Sequence, residues 1–318
     1  MPSLRHLLLS GYIAAPEDPA EEDEFFAGLV DLGIGGIEHA LPLEGTRSLE
    51  PAWVARNLRP EWDVVVSLVP TMMPRLVLAP TYGLGSLDEE QRAHALADVA
   101  RARDLAVTLA ETDGRRRVSA IEVHSAPGPR GGSVEAFSRS LDEILGWDLA
   151  GAELLVEHCD AYVPGLTPAK GFWTLEDELA VVRSKGLPAD VLGMCVNWGR
   201  SVIEGRSTRT AVEHTQAVAE AGLLRMLVLS GATGADTPWN PPWADMHIPP
   251  RSDAHPALAA SADSLMGLAE ITETLKVAGD VPRVGVKVAV RPTDASVATR
   301  LAVVRASLEL VATARTSL

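Results

Sequence analysis

The chain has 318 residues, of which 47% are hydrophobic and 22% are charged, and its formal net charge is −15. This apolar content excludes a disordered chain, and the acidic surface repels phosphate backbones and anionic lipids, so nucleic-acid and membrane-surface roles are not expected. Two cysteines, Cys159 and Cys195, are too few for a disulfide framework or a four-cysteine zinc site. The three-leucine run near the start is too short for a signal peptide, and no segment approaches the roughly 20 apolar residues that span a bilayer. We therefore expect a cytoplasmic protein that acts on a small molecule.

Short apolar runs alternate with longer segments of helical spacing along the whole chain. The runs predict strands at residues 7–9, 36–38, 64–69, 120–124, 154–158, 194–197, 226–230 and 284–290. Most of them are continuous, which is typical of parallel strands covered on both faces. The intervening segments predict helices at residues 22–32, 87–109, 133–149, 175–184, 208–221, 257–277 and 295–312. Thr174 and either Ser207 or Thr208 are expected helix caps, and Gly33 is expected just past a helix end.

About eight strand–helix units predict an α/β protein, a single (βα)8 barrel over residues 1–318. The competing fold is an open doubly wound sheet, which would carry a glycine-rich phosphate turn after its first strand. Ser10-Gly11-Tyr12 does not provide that turn. Residues 231–256 form the longest irregular segment and are expected to be a lid or wall of the active site rather than a linker.

Ionisable side chains stand at the ends of most predicted strands, where barrels of this kind place their functional residues. Because an ionisable group is costly to desolvate, this pattern favours a binding or active site. Glu157 ends the run Leu154-Leu155-Val156 and is expected to be a general base, a metal ligand or a hydrogen-bond acceptor for a sugar hydroxyl. The structural alternative is a salt bridge to Lys287 or Arg200.

Histidines provide the next candidates for proton transfer, either as proton shuttles or as satisfied caps over the core. His124 and His158 both end predicted strands. Alternation along a strand puts His158 on the face opposite Glu157, so His124 is favoured. For the same reason only one of Glu38 and His39 can face the barrel axis.

Lys287 lies inside an apolar strand, in Gly-Val-Lys-Val-Ala. Such a lysine pairs with a carboxylate, here Glu157, or has its amine neutralised for covalent chemistry of the Schiff-base type. An outward-facing side chain is the remaining alternative.

Tryptophans in the predicted loops suggest a carbohydrate ligand, because indole faces stack on sugar rings; packing of the lid is the alternative. The predicted substrate-binding residues are Glu38, Asn197, Arg200, Trp173, Trp198, Trp239, Ser230 and Arg291. If a metal is bound, its predicted ligands are Glu157, His124, Asp160 and His247.

The order of strand-end residues carries a family resemblance. Leu-Leu-Val-Glu157-His at the fifth strand and Gly-Met-Cys-Val-Asn197-Trp-Gly-Arg200 at the sixth resemble the xylose isomerase-like barrel superfamily. Within it, the chain is most similar to the uncharacterised bacterial family DUF4862. The resemblance implies a barrel and a sugar-like ligand.

In the isomerase and epimerase branches, the resemblance also implies one divalent cation held by Glu, Asp, His and Glu from the fifth to eighth strands. Only Glu157 matches this pattern; Asn197, Arg200 and Lys287 stand at three of the positions, and the seventh strand, which ends in Ser230, offers no histidine. Fewer carboxylates and an added ammonium weaken the binding of a hard dication. The metal mechanism is therefore not carried over, although a displaced site for Mn²⁺, Mg²⁺ or Zn²⁺ stays open.

We expect a carbohydrate or polyol isomerase or epimerase in which Glu157 is the base and His124 or His158 the partner acid. Lys287 and Arg200 would stabilise the enediolate oxygen. The alternatives are a catalytically inactive sugar-binding or regulatory barrel, and a Schiff-base lyase or aldolase that acts through Lys287. A homo-oligomer stays open.

Overall fold

Eight parallel strands close into a barrel in chain order, with β8 hydrogen-bonded to β1. The strands are β1 (Leu7–Ser10), β2 (Gly36–Ala40), β3 (Asp63–Ser67), β4 (Val118–Val123), β5 (Glu153–His158), β6 (Leu192–Asn197), β7 (Leu224–Leu229) and β8 (Arg283–Val286). This computed structural model describes residues 3–239 and 241–318. Met1, Pro2 and Asn240, which belong to the predicted 1–318 domain, lie outside the described residues. The predicted (βα)8 barrel is confirmed.

Helices follow the strands and cover the outside of the barrel. They are α1 (Gly11–Ala14), α2 (Pro19–Leu32), α3 (Pro51–Asn57), α4 (Val69–Leu78), α5 (Glu89–Asp113), α6 (Val134–Leu145), α7 (Leu175–Ser184), α8 (Trp198–Gly205), α9 (Thr208–Glu220), α10 (Leu268–Ala278) and α11 (Val297–Thr316). None of these helices within the described ranges combines the length and apolar character needed to cross a membrane. The short helices α1, α3, α4 and α8 were not anticipated, because four to ten residues give little periodicity to read.

Helix ends follow the capping chemistry expected from the sequence. The Thr174 hydroxyl accepts the backbone N–H of Asp177 at 3.2 Å and starts α7, and Ser207 caps α9 in the same way. Gly33 ends α2 with φ of 68°, a left-handed conformation that glycine adopts without strain.

The helix predicted at residues 257–277 is wrong over its first half. A 3₁₀ helix spans Pro256–Ser261, and α10 begins only at Leu268. The backbone N–H of Gly267 donates to Glu270 at 2.9 Å, so the local hydrogen bonding starts a new helix at this point.

The barrel interior has three levels, because every second residue of each strand points inward. At the amino-terminal end, Arg283 forms a bidentate ion pair with Glu153, with both N–O distances at 2.9 Å. The middle level is apolar and consists of Leu8, Val65, Ala120, Leu155, Cys195, Met226 and Val228. The third level lies at the carboxyl ends of the strands and is polar, which places the candidate site there.

Candidate active site at the carboxyl ends of the strands

The polar level collects ionisable and hydroxyl side chains from all eight strand ends. Its inward-facing members are Ser10, Glu38, Ser67, Glu122, His124, Glu157, Asn197, Ser230 and Lys287, each at most 3% exposed. Burying so many polar groups is costly unless they pair with one another or serve a ligand. The contacts within this level show which of them are paired.

Glu157, on β5, is held from three sides. Its Oε1 lies 2.5 Å from Arg200 Nη1 and accepts a hydrogen bond from Asn197 Nδ2 at 3.2 Å. Its Oε2 lies 2.7 Å from His124 Nε2. The side chains of β4, β5, β6 and α8 therefore converge on one carboxylate, and both of its oxygens are occupied.

The protonation states of Glu157 and His124 follow from burial and from the charges around them. Burial raises the pKa of Glu157, but the charge of Arg200 and the hydrogen bond from His124 outweigh burial and hold the pKa well below its ordinary value. Burial also lowers the pKa of His124, so its ring is neutral near pH 7. Because Glu157 is ionised, His124 Nε2 carries the proton and donates it, which leaves Nδ1 as the ring's acceptor.

Lys287, on the strand end after β8, forms its ion pair with Glu38 rather than with Glu157. Its Nζ lies 2.6 Å from Glu38 Oε1, and Glu38 also accepts from the Tyr12 hydroxyl at 3.0 Å and from Ser10. Burial lowers the pKa of Lys287, but the charge of Glu38 outweighs burial and holds the pKa well above its ordinary value. The amine is therefore an ammonium, and Glu38 is the residue of β2 that faces the axis.

Glu122 was missed by the sequence analysis. It lies on β4, is fully buried, and neither of its carboxylate oxygens has a hydrogen-bond partner among the described residues. Burial, followed by the charges of Glu157 and Glu38, raises the pKa of Glu122 well above its ordinary value. Strand alternation could have identified it, since Glu122 lies two residues before His124 and therefore on the same face of the strand.

The divalent cation implied by the family resemblance does not fit its expected position. Glu157 is the only carboxylate among the matched residues, and the Arg200 guanidinium already contacts it at 2.5 Å. Lys287 adds a second fixed positive charge that lowers the pKa of the same carboxylate. The charges of Arg200 and Lys287 beside the one matched carboxylate repel a further cation, so the residues at the family's metal positions do not fit a divalent ion.

The displaced ligand set is not assembled either. The three donor atoms that come within 4.8 Å of one another around His124 and Glu157 are completed by Cys159, not by Asp160 or His247. Asp160 accepts the backbone N–H of Lys170 at 2.8 Å. His247 Nδ1 lies 2.7 Å from Ser230 Oγ, and burial lowers the pKa of His247 to about 3.

Residues 231–239 and 241–256, called the mouth loop below, cover the polar level. Gly231 pairs with Ile248, and the backbone N–H of Ala289 donates to His247 at 2.8 Å. Trp239 Nε1 donates to the Ala289 carbonyl at 3.3 Å and packs with Ile248. Trp239 therefore fastens the loop to the chain after β8.

A cavity of about 660 Å³ lies between the mouth loop and the loop that joins β5 to α7. Its polar lining includes Lys170, Arg206, Asp245 and His247, and Trp243 forms part of its wall. Lys170 and Asp245 form an ion pair across the cavity. Its volume is within the range of small-molecule sites.

Asp245 connects this cavity to the buried carboxylate. Arg200 Nε lies 3.1 Å from Asp245 Oδ2, while Nη1 of the same guanidinium contacts Glu157. Arg200 thus links Asp245, which lines the cavity, to Glu157 in the polar level, and its Nη2 has no hydrogen-bond partner among the described residues.

Four predicted site residues lie away from the polar level. His158 points from the opposite face of β5 to Glu178 on α7, at 2.7 Å. Trp198 is fully buried among the helices, where its Nε1 donates to Thr274 at 3.1 Å. Trp173 and Arg291 are partly buried and are not among the residues that line the cavity.

Comparisons with known proteins add a family and a fold. The family described as "Domain of unknown function (DUF4862)" matches residues 8–303. The uncharacterized protein STM3670 of Salmonella typhimurium is 35% identical over 253 residues, which are 76% of this chain and 77% of that protein.

Solved structures with the same barrel have much lower sequence identity. A putative xylose isomerase from Rhodospirillum rubrum superposes with a TM-score of 0.59 at 14% identity, over 98% of each chain. A sugar phosphate isomerase/epimerase from Parabacteroides distasonis superposes with a TM-score of 0.54 at 14% identity, over 94% of this chain and 92% of that one. Likeness at this identity shows the fold alone, and it agrees with the expected α/β barrel.

Proposed function

The chain belongs to the family described as domain of unknown function DUF4862, and we propose that it is a carbohydrate-active enzyme of the isomerase or epimerase type. The observation that carries this proposal is the pair of Glu122 and Glu157. Their carboxylate oxygens lie within 4.8 Å of each other, and the pKa of Glu122 is raised while that of Glu157 is lowered. Protonated Glu122 supplies the acid that proton transfer beside a carbonyl requires, and ionised Glu157 orients the histidine that supplies the base.

The proton acceptor in this proposal is His124 Nδ1. Both oxygens of Glu157 already accept hydrogen bonds or an ion pair, so Glu157 orients the His124 ring and stabilises its protonated form. This differs from the expectation that Glu157 itself takes the proton. The arrangement is that of a carboxylate–histidine pair, in which the carboxylate fixes the tautomer.

The reaction then runs through an enediolate. His124 takes the proton from the carbon beside the substrate carbonyl, and the electron pair of that C–H bond becomes a C=C bond while the carbonyl oxygen takes up negative charge. Glu122 gives its proton to that oxygen, and the charges of Lys287 and Arg200 stabilise it. His124 then gives its proton to the former carbonyl carbon while the neighbouring hydroxyl gives its proton to Glu122, which forms the new carbonyl of the isomer and restores both groups. For the epimer, the enediol turns over in the site, His124 protonates the opposite face of the original carbon, and the hydroxyl that Glu122 had protonated returns its proton to Glu122.

The substrate class is a sugar or sugar-like hydroxy carbonyl compound that enters through the cavity above Arg200. Lys170 and Asp245 offer charged hydrogen-bond groups for hydroxyls, and the Trp243 indole supports the apolar face of a ring. Because Glu122 and Glu157 are fully buried, the mouth loop must move for substrate to reach them. We place this activity in the cytoplasm, in keeping with the expectation from the sequence.

The test is incorporation of solvent deuterium. The purified protein is incubated in D₂O with a panel of aldoses, ketoses and sugar acids, and exchange at carbon is followed by ¹H NMR. We expect at least one substrate to exchange, with loss of exchange in Glu122→Gln and in His124→Gln. Glu111→Gln, which changes an exposed carboxylate on α5, is the matched control and should keep full activity.

A sugar-binding barrel without catalysis is the second candidate. It is favoured by the way the other charges satisfy one another, since Glu157 is paired by Arg200 and Glu38 by Lys287. The same pairing gives no support to a Schiff-base role for Lys287, because an ammonium is not a nucleophile. Ligand-induced thermal stabilisation without deuterium exchange would favour the binding protein over the enzyme.

A further inference from the structure

A second cluster of histidine and glutamate side chains lies outside the barrel, between β5 and the surrounding helices. His158 ends β5, Glu204 lies in the last turn of α8, and His214 lies on α9. One donor atom from each of the three comes within 4.8 Å of the others. His158 faces away from Glu157, so this cluster shares no residue with the proposed active site.

The two imidazole rings present the same atom to the same carboxylate. His158 Nε2 lies 3.1 Å from Glu204 Oε2, and His214 Nε2 lies 3.7 Å from Glu204 Oε1. The rings approach edge to face, with centroids 4.9 Å apart and planes at 77°. Both Nε2 atoms therefore lie beside the Glu204 carboxylate, one near each of its oxygens.

The other ring nitrogens are held by neighbouring groups. His158 Nδ1 lies 2.7 Å from Glu178 Oε2, and His214 Nδ1 lies 3.1 Å from Ser201 Oγ. Glu204 Oε2 also accepts the backbone N–H of Ala161 at 2.8 Å. Metal-ligating histidines almost always have their second nitrogen fixed by a carboxylate, carbonyl or hydroxyl-type partner, and ligating carboxylates are hydrogen-bonded in turn.

The geometry and the donor types match a zinc ion. Tetrahedral zinc with bonds of about 2.0–2.1 Å to nitrogen and oxygen needs donor atoms roughly 3.4 Å apart. The two nitrogen–oxygen distances, 3.1 Å to Oε2 and 3.7 Å to Oε1 of Glu204, lie near that value, and one donor atom from each residue lies within 4.8 Å of the others. Two histidines and one glutamate are an established zinc ligand set that leaves a fourth position for water. The side chains of Glu204 and His214 are 14% and 15% exposed, which gives an ion and its water a route from solvent.

We propose that His158, Glu204 and His214 bind a divalent first-row metal ion, with Zn²⁺ as the preferred ion. The bound ion would tie β5, α8 and α9 together on the side of β5 opposite Glu157. The proposal does not depend on the function proposed above, because it concerns residues on the outer face of the barrel.

The competing account is a metal-free network in which the His158 ring bridges Glu178 and Glu204. Both carboxylates lie within hydrogen-bond distance of that ring. In this account His214 contributes only its contact with Glu204 at 3.7 Å and its packing on the His158 ring. It predicts that the chain has no specific affinity for Zn²⁺ at these residues.

The test is metal titration of the full chain after treatment with a chelator. Co²⁺ is added first, and the visible absorption of tetrahedral cobalt reports nitrogen and oxygen ligation; Zn²⁺ then displaces it in competition with a chromophoric chelator. We expect about one ion per chain and higher thermal stability with Zn²⁺. His214→Gln and Glu204→Gln should each remove the cobalt band, and Ser201→Ala should weaken Zn²⁺ affinity about 10–100-fold.

Cys159→Ser is the matched control, because Cys159 belongs to a different donor group with His124 and Glu157 at the barrel mouth. This variant should bind Zn²⁺ like the unchanged chain. Circular dichroism and melting without metal show whether each variant is folded, and Ser201→Ala, which removes only a hydroxyl, provides a mild second test. Failure of the unchanged chain to bind Zn²⁺, binding that survives both Gln substitutions, or binding that is lost in Cys159→Ser would overturn the proposal.

Discussion

Glu122 and Glu157 lie on the neighbouring strands β4 and β5 with carboxylate oxygens within 4.8 Å of each other, yet they bind protons with opposite affinity. The difference comes from their partners. Glu157 is surrounded by Arg200, His124 and Asn197, which stabilise its ionised form. Burial and two neighbouring carboxylates destabilise the ionised form of Glu122. A site that keeps one proton on one carboxyl group and none on the next is prepared for acid–base chemistry.

Glu122→Gln should lower turnover strongly without unfolding the protein. Loss of a positioned acid typically lowers the rate about 10²–10⁴-fold. The raised pKa of Glu122 means that the folded chain keeps this proton after the unfolded chain has released it, so folding stability falls as pH rises from the ordinary glutamate range. Glutamine cannot ionise, so the variant should match or exceed the parent chain in stability at pH 8.

Urea unfolding at pH 4 and pH 8, beside the deuterium-exchange assay, checks both halves of this prediction. The stability gain should be present at pH 8 and absent at pH 4, where the parent chain's Glu122 is protonated in both states. A variant that keeps full turnover would exclude Glu122 as the acid.

Arg200→Met should destabilise the fold, because it leaves Glu157 ionised and buried without its cation. Removing one partner of a buried ion pair costs about 3–5 kcal/mol. Adding Glu157→Gln to Arg200→Met should recover most of the lost stability, since the buried negative charge is removed. Urea unfolding of the single and double variants measures this coupling.

Arg209 provides the control for this series. It pairs with Glu213 on the exposed surface of α9, and Arg209→Met should leave the free energy of unfolding nearly unchanged. If Arg200→Met also left the free energy of unfolding nearly unchanged, the ionised state of Glu157 would not depend on the guanidinium.

The barrel could be predicted from the sequence because continuous apolar strands and periodic helices repeat at a regular spacing. The helix ends at Thr174, Ser207 and Gly33 could also be predicted, because capping depends on local residue types. The helix predicted at residues 257–277 was wrong in its first half because its apolar composition hid the helix start at Gly267. Propensity alone does not locate such a boundary.

The candidate site could be predicted only in part. Strand-end position pointed to Glu157 and His124, which the structure brings into contact at 2.7 Å. The partner of Lys287 could not be chosen from the sequence, since Glu38 and Glu157 both face the barrel axis and only the closed geometry brings Glu38 to 2.6 Å. Glu122 lies within β4 rather than at its end, so the strand-end position that identifies Glu157 and His124 does not identify it.

His39→Phe should reduce the loss of stability at acid pH. His39 stacks on Trp53 with ring centroids 5.5 Å apart, and burial lowers its pKa from 6.5 to about 4. A group with a lowered pKa contributes stability above its unfolded pKa, and that contribution is lost as pH falls from 6.5 towards 4. A shift of that size corresponds to about 3 kcal/mol.

The slope of the unfolding free energy against pH, measured between pH 4 and pH 7, tests this expectation. Phenylalanine keeps the stacking on Trp53 and does not titrate, so the slope should be smaller. Burial also lowers the pKa values of His124, His214 and His247, so these three histidines still contribute to the slope. His94→Gln changes an exposed histidine on α5 and should leave the slope unchanged. An unaltered slope in His39→Phe would mean that the ring accepts a proton without cost in the folded state.

Lys170→Met should weaken substrate binding more than it slows the chemistry. Lys170 lines the cavity and pairs with Asp245, but it does not contact Glu157 or Glu122. A charged hydrogen bond to a ligand is worth about 1.5–3 kcal/mol, which corresponds to roughly a 10–100-fold increase in KM. Asp245 keeps Arg200 as a partner at 3.1 Å, so the contact between these two residues should persist and kcat should change little.

Steady-state kinetics on the substrate found by deuterium exchange separate the two effects, with Lys276→Met on the exposed side of α10 as the control. A fall in kcat at unchanged KM would instead place Lys170 among the groups that act on the reacting atoms.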